Sequence, residues 1–169
     1  MSHRDELLRQ IRAYRLEDRL KKLALNDEKT RPFRHLPKQF SKGILIGHIA
    51  IVPKRADETR FVYVIADMLQ ARILYEDIHL KQSAILIANK LADGKTVPTN
   101  ILEWDSAFAS RIFDIKNYKA KWRSAEKEGD EHRVFIYENK YNEANRQADE
   151  IKHRIHNLFD DMFRNNPAK

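Results

Sequence analysis

The 169-residue chain contains no cysteine. Disulfides, thiolate metal sites and cysteine nucleophiles are thereby excluded. Four glycines and five prolines are too few for the many turns of an all-β fold. No apolar run approaches the ~18 residues that cross a membrane. The opening residues, Met1-Ser2-His3-Arg4-Asp5-Glu6, bring early acids and no apolar stretch, so they do not read as a signal peptide. No membrane partner is expected, and a cytoplasmic location is. Also missing are a Gly-rich phosphate loop and a Gly-x-Ser-x-Gly elbow; Gly43 and Gly47 bracket what reads as a strand. The few Ser and Thr show no nearby His pattern. A non-enzymatic protein without cofactor is the expectation.

What the chain has in quantity is charge: 34% of its residues, with a net +7. The balance is uneven. Residues 1–42 hold 12 Lys/Arg against 6 Asp/Glu, residues 43–98 hold 7 against 6, and residues 99–169 hold 13 against 13. Three regions follow: a basic N-terminal helix and strap (1–42), a β-meander with a covering helix (43–98), and an antiparallel helical hairpin (99–169). The basic excess belongs to the first. Arg4, Arg9, Arg12, Arg15, Arg19, Lys22, Arg31 and Arg34 are its candidate contacts with nucleic acid or an acidic partner. Tyr14, Phe33 and Phe40 are interleaved with them, as in single-strand binders. A solvated Arg-rich helix explains the same charges.

Residues 2–25 read as helix, opened by a Ser2/Asp5 capping pair. Leu7, Ile11 and Tyr14 lie on one side of it, and Leu16, Leu20 and Leu23 nearly opposite, so it should dock on something. Pro32 and Pro37 make residues 26–42 a linker. Next comes a β-branched run, Ile44 to Val52, ended by Pro53. A turn at Ala56-Asp57-Glu58-Thr59 leads to a second strand, Arg60 to Ala66, and a third, Ala71 to Tyr75. A helix over 59–75 is the competing reading. Residues 77–93 form a helix with Asp77 as N-cap and Gly94 as terminator. Another spans 100–127, with Asn100 and Glu103 at capping-box spacing.

The last helix, from about Glu131 to Phe163, carries a seam. Val134, Tyr137, Tyr141, Ala144, Ala148, Ile151, Ile155, Leu158 and Met162 alternate spacings of three and four. A matching seam runs through Ile101, Trp104, Phe108, Arg111, Ile115, Tyr118 and Trp122. A turn at Gly129 folds one onto the other. The partner seam is shorter, which leaves Leu158, Phe159, Met162 and Phe163 to meet the rest of the domain or a neighbouring protein. Two Glu-x-x-His pairs, Glu76/His79 and Glu150/His153, have the spacing of helical di-iron ligands. His153 and His156 have that of a surface zinc site. The first Glu falls at a strand–helix junction and the others beside solvent-facing charges, so no metal is expected.

The segment Phe61 to Asp67, continued by Ile73 to Ile78 and by Leu80-Lys81-Gln82-Ser83-Ala84-Ile85-Leu86-Ile87-Ala88-Asn89-Lys90-Leu91, resembles a pattern in small virion-associated proteins of tailed bacteriophages. There, two short strands lead into a helix that long charged helices follow. The resemblance spans about residues 60–160 and holds no diagnostic motif. It implies a virion or assembly role in the host cytoplasm and carries over no catalytic residue. The combined expectation is a helix-rich α+β fold: a three-stranded antiparallel meander packed by a helix, a C-terminal helical hairpin and an N-terminal basic helix. Its function would be structural or assembly contacts, including self-association, with nucleic-acid binding by the basic segment as the alternative.

Overall fold

Side chains alternate across a strand, and here both faces are apolar. Ile44, Ile46, Ile49, Ile51 and Ile65 join one buried cluster, while Leu45, Ala50, Val52, Val64 and Ala66 join another. A sheet buried on both sides needs a layer on each. The computed structural model, which describes residues 2–13, 34–35, 43–57 and 60–165, supplies them. Helix α1 (His3–Ala13) covers one face. Strands β1 (Arg34–His35), β2 (Ile44–Ile46), β3 (Ile49–Arg55), β4 (Phe61–Asp67) and β5 (Arg72–Ile78) form the sheet. Helices α2 (Lys81–Ala92), α3 (Thr99–Glu128) and α4 (Glu131–Asn165) lie on the other side. The fold is helix-rich α+β. None of its helices, among the described residues, is long and apolar enough to cross a membrane.

The sheet is antiparallel, in the order β1-β2-β3-β4-β5. Among the described residues it has four strands of three to seven residues and the two-residue pairing of β1, not three strands. The run expected as one strand, Ile44 to Val52, is a hairpin. Gly47 takes φ 57° in its two-residue turn, and Ile46 pairs with Ile49. A Gly with positive φ in the first turn position is what a tight hairpin needs. Pro53 does not end β3, which continues to Arg55. β2 pairs only with Ile49–Ile51, so beyond Val52 the described residues leave that edge open, and an open edge tolerates proline. The competing helix over 59–75 does not form: β4 runs seven residues in register with β3. The Asp67 carboxylate turns the chain into β5 by accepting N–H bonds from Leu69 (2.9 Å) and Gln70 (3.1 Å).

Asp77 is not a helix cap. It lies inside β5 at φ 55°, and α2 starts four residues later. The backbone donors at this junction are met from elsewhere. Asp105, on α3, is only 2% exposed; its Oδ2 accepts from His79 N–H at 2.8 Å and its Oδ1 from Leu80 N–H at 2.9 Å. Beyond the junction, Ser83 to Ala88 are all buried, so α2 is enclosed on every side. Gly94, at φ 70°, ends α2 as expected, with Lys95 N–H reaching back to the Lys90 carbonyl. The Asn100/Glu103 box does not form: α3 begins at Thr99 with Pro98 before it and no side-chain cap. Gly129 (φ 71°) ends α3, and Asp130 caps α4 by accepting from Arg133 N–H at 3.1 Å.

Helices α3 and α4 meet in reversed order. Arg111 Nη1 donates to Gln147 Oε1 at 2.9 Å, Lys140 lies over the Tyr118 ring, Lys121 over the Tyr137 ring, and Trp122 packs on Tyr141 with centroids 5.5 Å apart. Small residues, Ala125, Ala144 and Ala148, are the buried ones along this contact, letting the helices approach closely. At the base, Ile101 and Ile155 enter the sheet's core cluster, and Lys116 is tied to Asp57 in the β3–β4 turn at 2.9 Å.

Asp105→Ala strands a buried N–H group at Leu80 and a partly buried one at His79, and each costs about 1–3 kcal/mol. The expected loss is about 2–5 kcal/mol, read as a lower urea midpoint at constant slope. Asp105→Asn keeps one acceptor oxygen and should lose less.

Candidate functional site

Of the residues singled out in the sequence, the described cations of α1 and the described apolar residues Leu158, Phe159 and Met162 lie on opposite sides of the sheet. α1 opens with Asp5 N–H bonded to Ser2 Oγ at 3.1 Å. Its Leu7 and Ile11 are buried against β-sheet residues, with Leu8 beside them, so the described part of the helix docks within its own domain. Its cations face outward, and two are answered locally. Arg4 meets Glu76 of β5 at 3.5 Å. Arg9 pairs with Glu6, whose carboxyl is held below its usual range by the Arg9 hydrogen bond and then by Gln10. Arg12 is exposed and has no ion pair with the described residues. Arg15, Arg19, Lys22 and Arg31, with Tyr14, Phe33 and Phe40, lie outside the described residues. Arg34 sits in β1 opposite Leu45; its side chain lies outside them too.

At the other end, Leu158, Phe159 and Met162 pack against the core cluster that the sheet shares with α2. Phe163 belongs to α4, but its side chain lies outside the described residues. Leu158 and Met162 also wall a groove of about 410 Å³ where the end of α2, the start of α3 and the end of α4 converge. Its floor is Leu86 and Ile101, both nearly inaccessible. Its rim is polar: Asn89, Lys90, Asp93, Lys95, Asn100 and Asp161. Two local events build it. The Gly94 turn throws Lys95 back over the α2 terminus, and Pro98 starts α3 without a capping side chain. Periodicity alone did not signal this groove, because its parts come from three elements far apart in sequence.

The metal candidates are spread apart. Glu76 is paired with Arg4, Glu150 with Arg146, and His156 with Asp160 at 3.2 Å. Among the described residues, no three His, Asp or Glu side chains are grouped to hold a metal ion. Glu143 accepts from Arg146, which holds its carboxyl below the usual range and raises the guanidinium. Glu143 therefore adds stability above the ordinary glutamate pKa and loses it as pH falls through the lowered value. Burial pushes the Tyr63 phenol up.

Fold and groove together define a helix-rich α+β protein with an apolar, polar-rimmed groove and a long pair of charged helices. No known family model, curated protein or solved structure matches the chain.

If α1 is held by Leu7 and Ile11, Ile11→Ala should cost about 2–4 kcal/mol. It should also speed amide exchange in residues 3–13, whereas Arg12→Ala should change stability by less than ~0.5 kcal/mol.

Proposed function

We propose that the protein is a non-enzymatic structural or assembly component that makes helix-mediated contacts within a larger complex. The reach of α3 and α4 is the observation that supports this best. Their 30 and 35 residues correspond to about 45 Å and 52 Å at 1.5 Å per residue. The large apolar residues of α3 from Ile101 to Phe108, and those of α4 from Ile151 to Met162, pack on the sheet's core cluster; the described residues between Phe108 and Ile151 join neither cluster. The helical pair is therefore read as an antiparallel hairpin, held by its two seams, that serves as an arm. Two large rings stand out on it, Phe113 (71% exposed) and Phe135 (65%). Single exposed apolar residues are ordinary. Two phenylalanines this open on otherwise charged helices suit packing against a partner helix. The basic N-terminal segment then docks on an acidic neighbour through Arg12 and the cations that follow it. The resemblance to virion-associated phage proteins agrees with such a role.

A second reading, nucleic-acid binding, is favoured by Lys121 and Lys140. They stand 5.6 Å and 5.7 Å from the Tyr137 and Tyr118 ring centroids and have no ion pair with the described residues. Cations beside aromatic faces suit a single strand, and such binding would weaken steeply with salt.

In the assembly reading, light scattering during gel filtration finds a mass well above the 20.1 kDa of one chain, or a stoichiometric complex. Phe113→Ser with Phe135→Ser abolishes it and leaves the circular dichroism spectrum unchanged. A chain that stays monomeric and unassociated at tens of micromolar contradicts the proposal.

A further inference from the structure

We propose that the groove between α2, α3 and α4 binds a medium-chain carboxylate, independently of any assembly role. Its size fits a small molecule: 410 Å³ lies within the ~300–1,000 Å³ of ligand pockets. At roughly 30 Å³ per heavy atom, the volume share of a liquid water, it takes about a dozen, which is the size of decanoate. Shape and polarity are divided as an amphipathic ligand requires. Leu86 and Ile101 make the floor and Leu158 and Met162 the wall, so one side of an alkyl chain lies against apolar surface.

The rim fixes the charge of the head. Lys90 and Lys95 have no ion pair with the described residues. The acids on the same rim are engaged: Asp161 meets Arg164 at 3.5 Å, and Asp93 has a partner of its own. Among the described residues, two ammonium groups without an ion pair therefore stand beside two carboxylates that have partners, which attracts an anion. Asn89 donates an amide N–H to the Ile85 carbonyl at 2.8 Å, while Asn100 brings a second amide to the rim. The head of the ligand sits at Lys90, Lys95 and Asn100, and its tail runs toward Leu158 and Met162.

The test is a titration of the full chain with hexanoate, octanoate and decanoate, followed by methyl NMR signals of Met162 and Leu158, with 1-decanol as the uncharged probe. Saturable shifts at those methyls are expected, with affinity rising about four-fold per added methylene. Decanoate should bind several-fold more tightly than decanol. Lys90→Gln with Lys95→Gln, one half-buried and one exposed, should erase that preference and keep the chain-length dependence. Met162→Glu should abolish saturation. No saturable shift at millimolar decanoate overturns the proposal. So does equal affinity for decanol, or shifts that appear equally around Phe113 and Phe135.

Discussion

The carboxylate of Asp105 is the joint on which the two halves of the structure turn. Where β5 stops and α2 has not begun, His79 and Leu80 present backbone N–H groups that neither element can satisfy. Asp105 accepts both from the first turns of α3, with its own side chain buried. Hydrogen bonds to a charged acceptor contribute more than neutral ones, and leaving such donors unmet in the interior is costly. The start of α2, the end of β5 and the base of α3 are thus fixed by one side chain. Once α3 is placed, the turn at Gly129 brings α4 back alongside it, and Ile155 closes the core.

Apolar burial supplies the bulk around that joint. The isoleucines of β2, β3 and β4 face α2, which is buried all round because α4 lies on its other side. Ala50, Val52, Val64 and Ala66, with Leu45, Met68 and Ile73 among them, share a cluster with α1, a helix of 11 residues with Leu7 and Ile11 as its anchors. The described basic residues of α1 thereby become the outer surface of a docked helix, with two of the three neutralised by Glu76 and Glu6.

Local chemistry was legible wherever one residue decides a backbone state. Gly94 and Gly129 mark helix ends because only glycine takes positive φ there without strain, and alternating β-branched residues mark β4. Signals settled by a distant partner were not. Gly47 in a continuous apolar run hides a hairpin whose existence depends on the pairing of Ile46 with Ile49. Pro53 reads as a strand end until the shortness of β2 is known. Asp77 looks like a helix cap, yet the donors it would have met are taken by Asp105, 25 and 26 residues along the chain from them. The groove was half legible: Leu158 and Met162 were visible as apolar residues beyond the partner seam, whereas Lys90 and Lys95 reach it only through the turn at Gly94.

The helical pair has a base locked into the core and an outer part that, among the described residues, joins neither core cluster. Native-state hydrogen exchange on the isolated chain separates the two directly. It should show amides of residues 101–112 and 148–160 exchanging only by global unfolding, together with β3, β4 and α2. Amides of residues 117–128 and 132–143 should exchange through local openings of clearly lower free energy. Uniform protection along α3 and α4, equal to that of β3 and β4, would contradict this division.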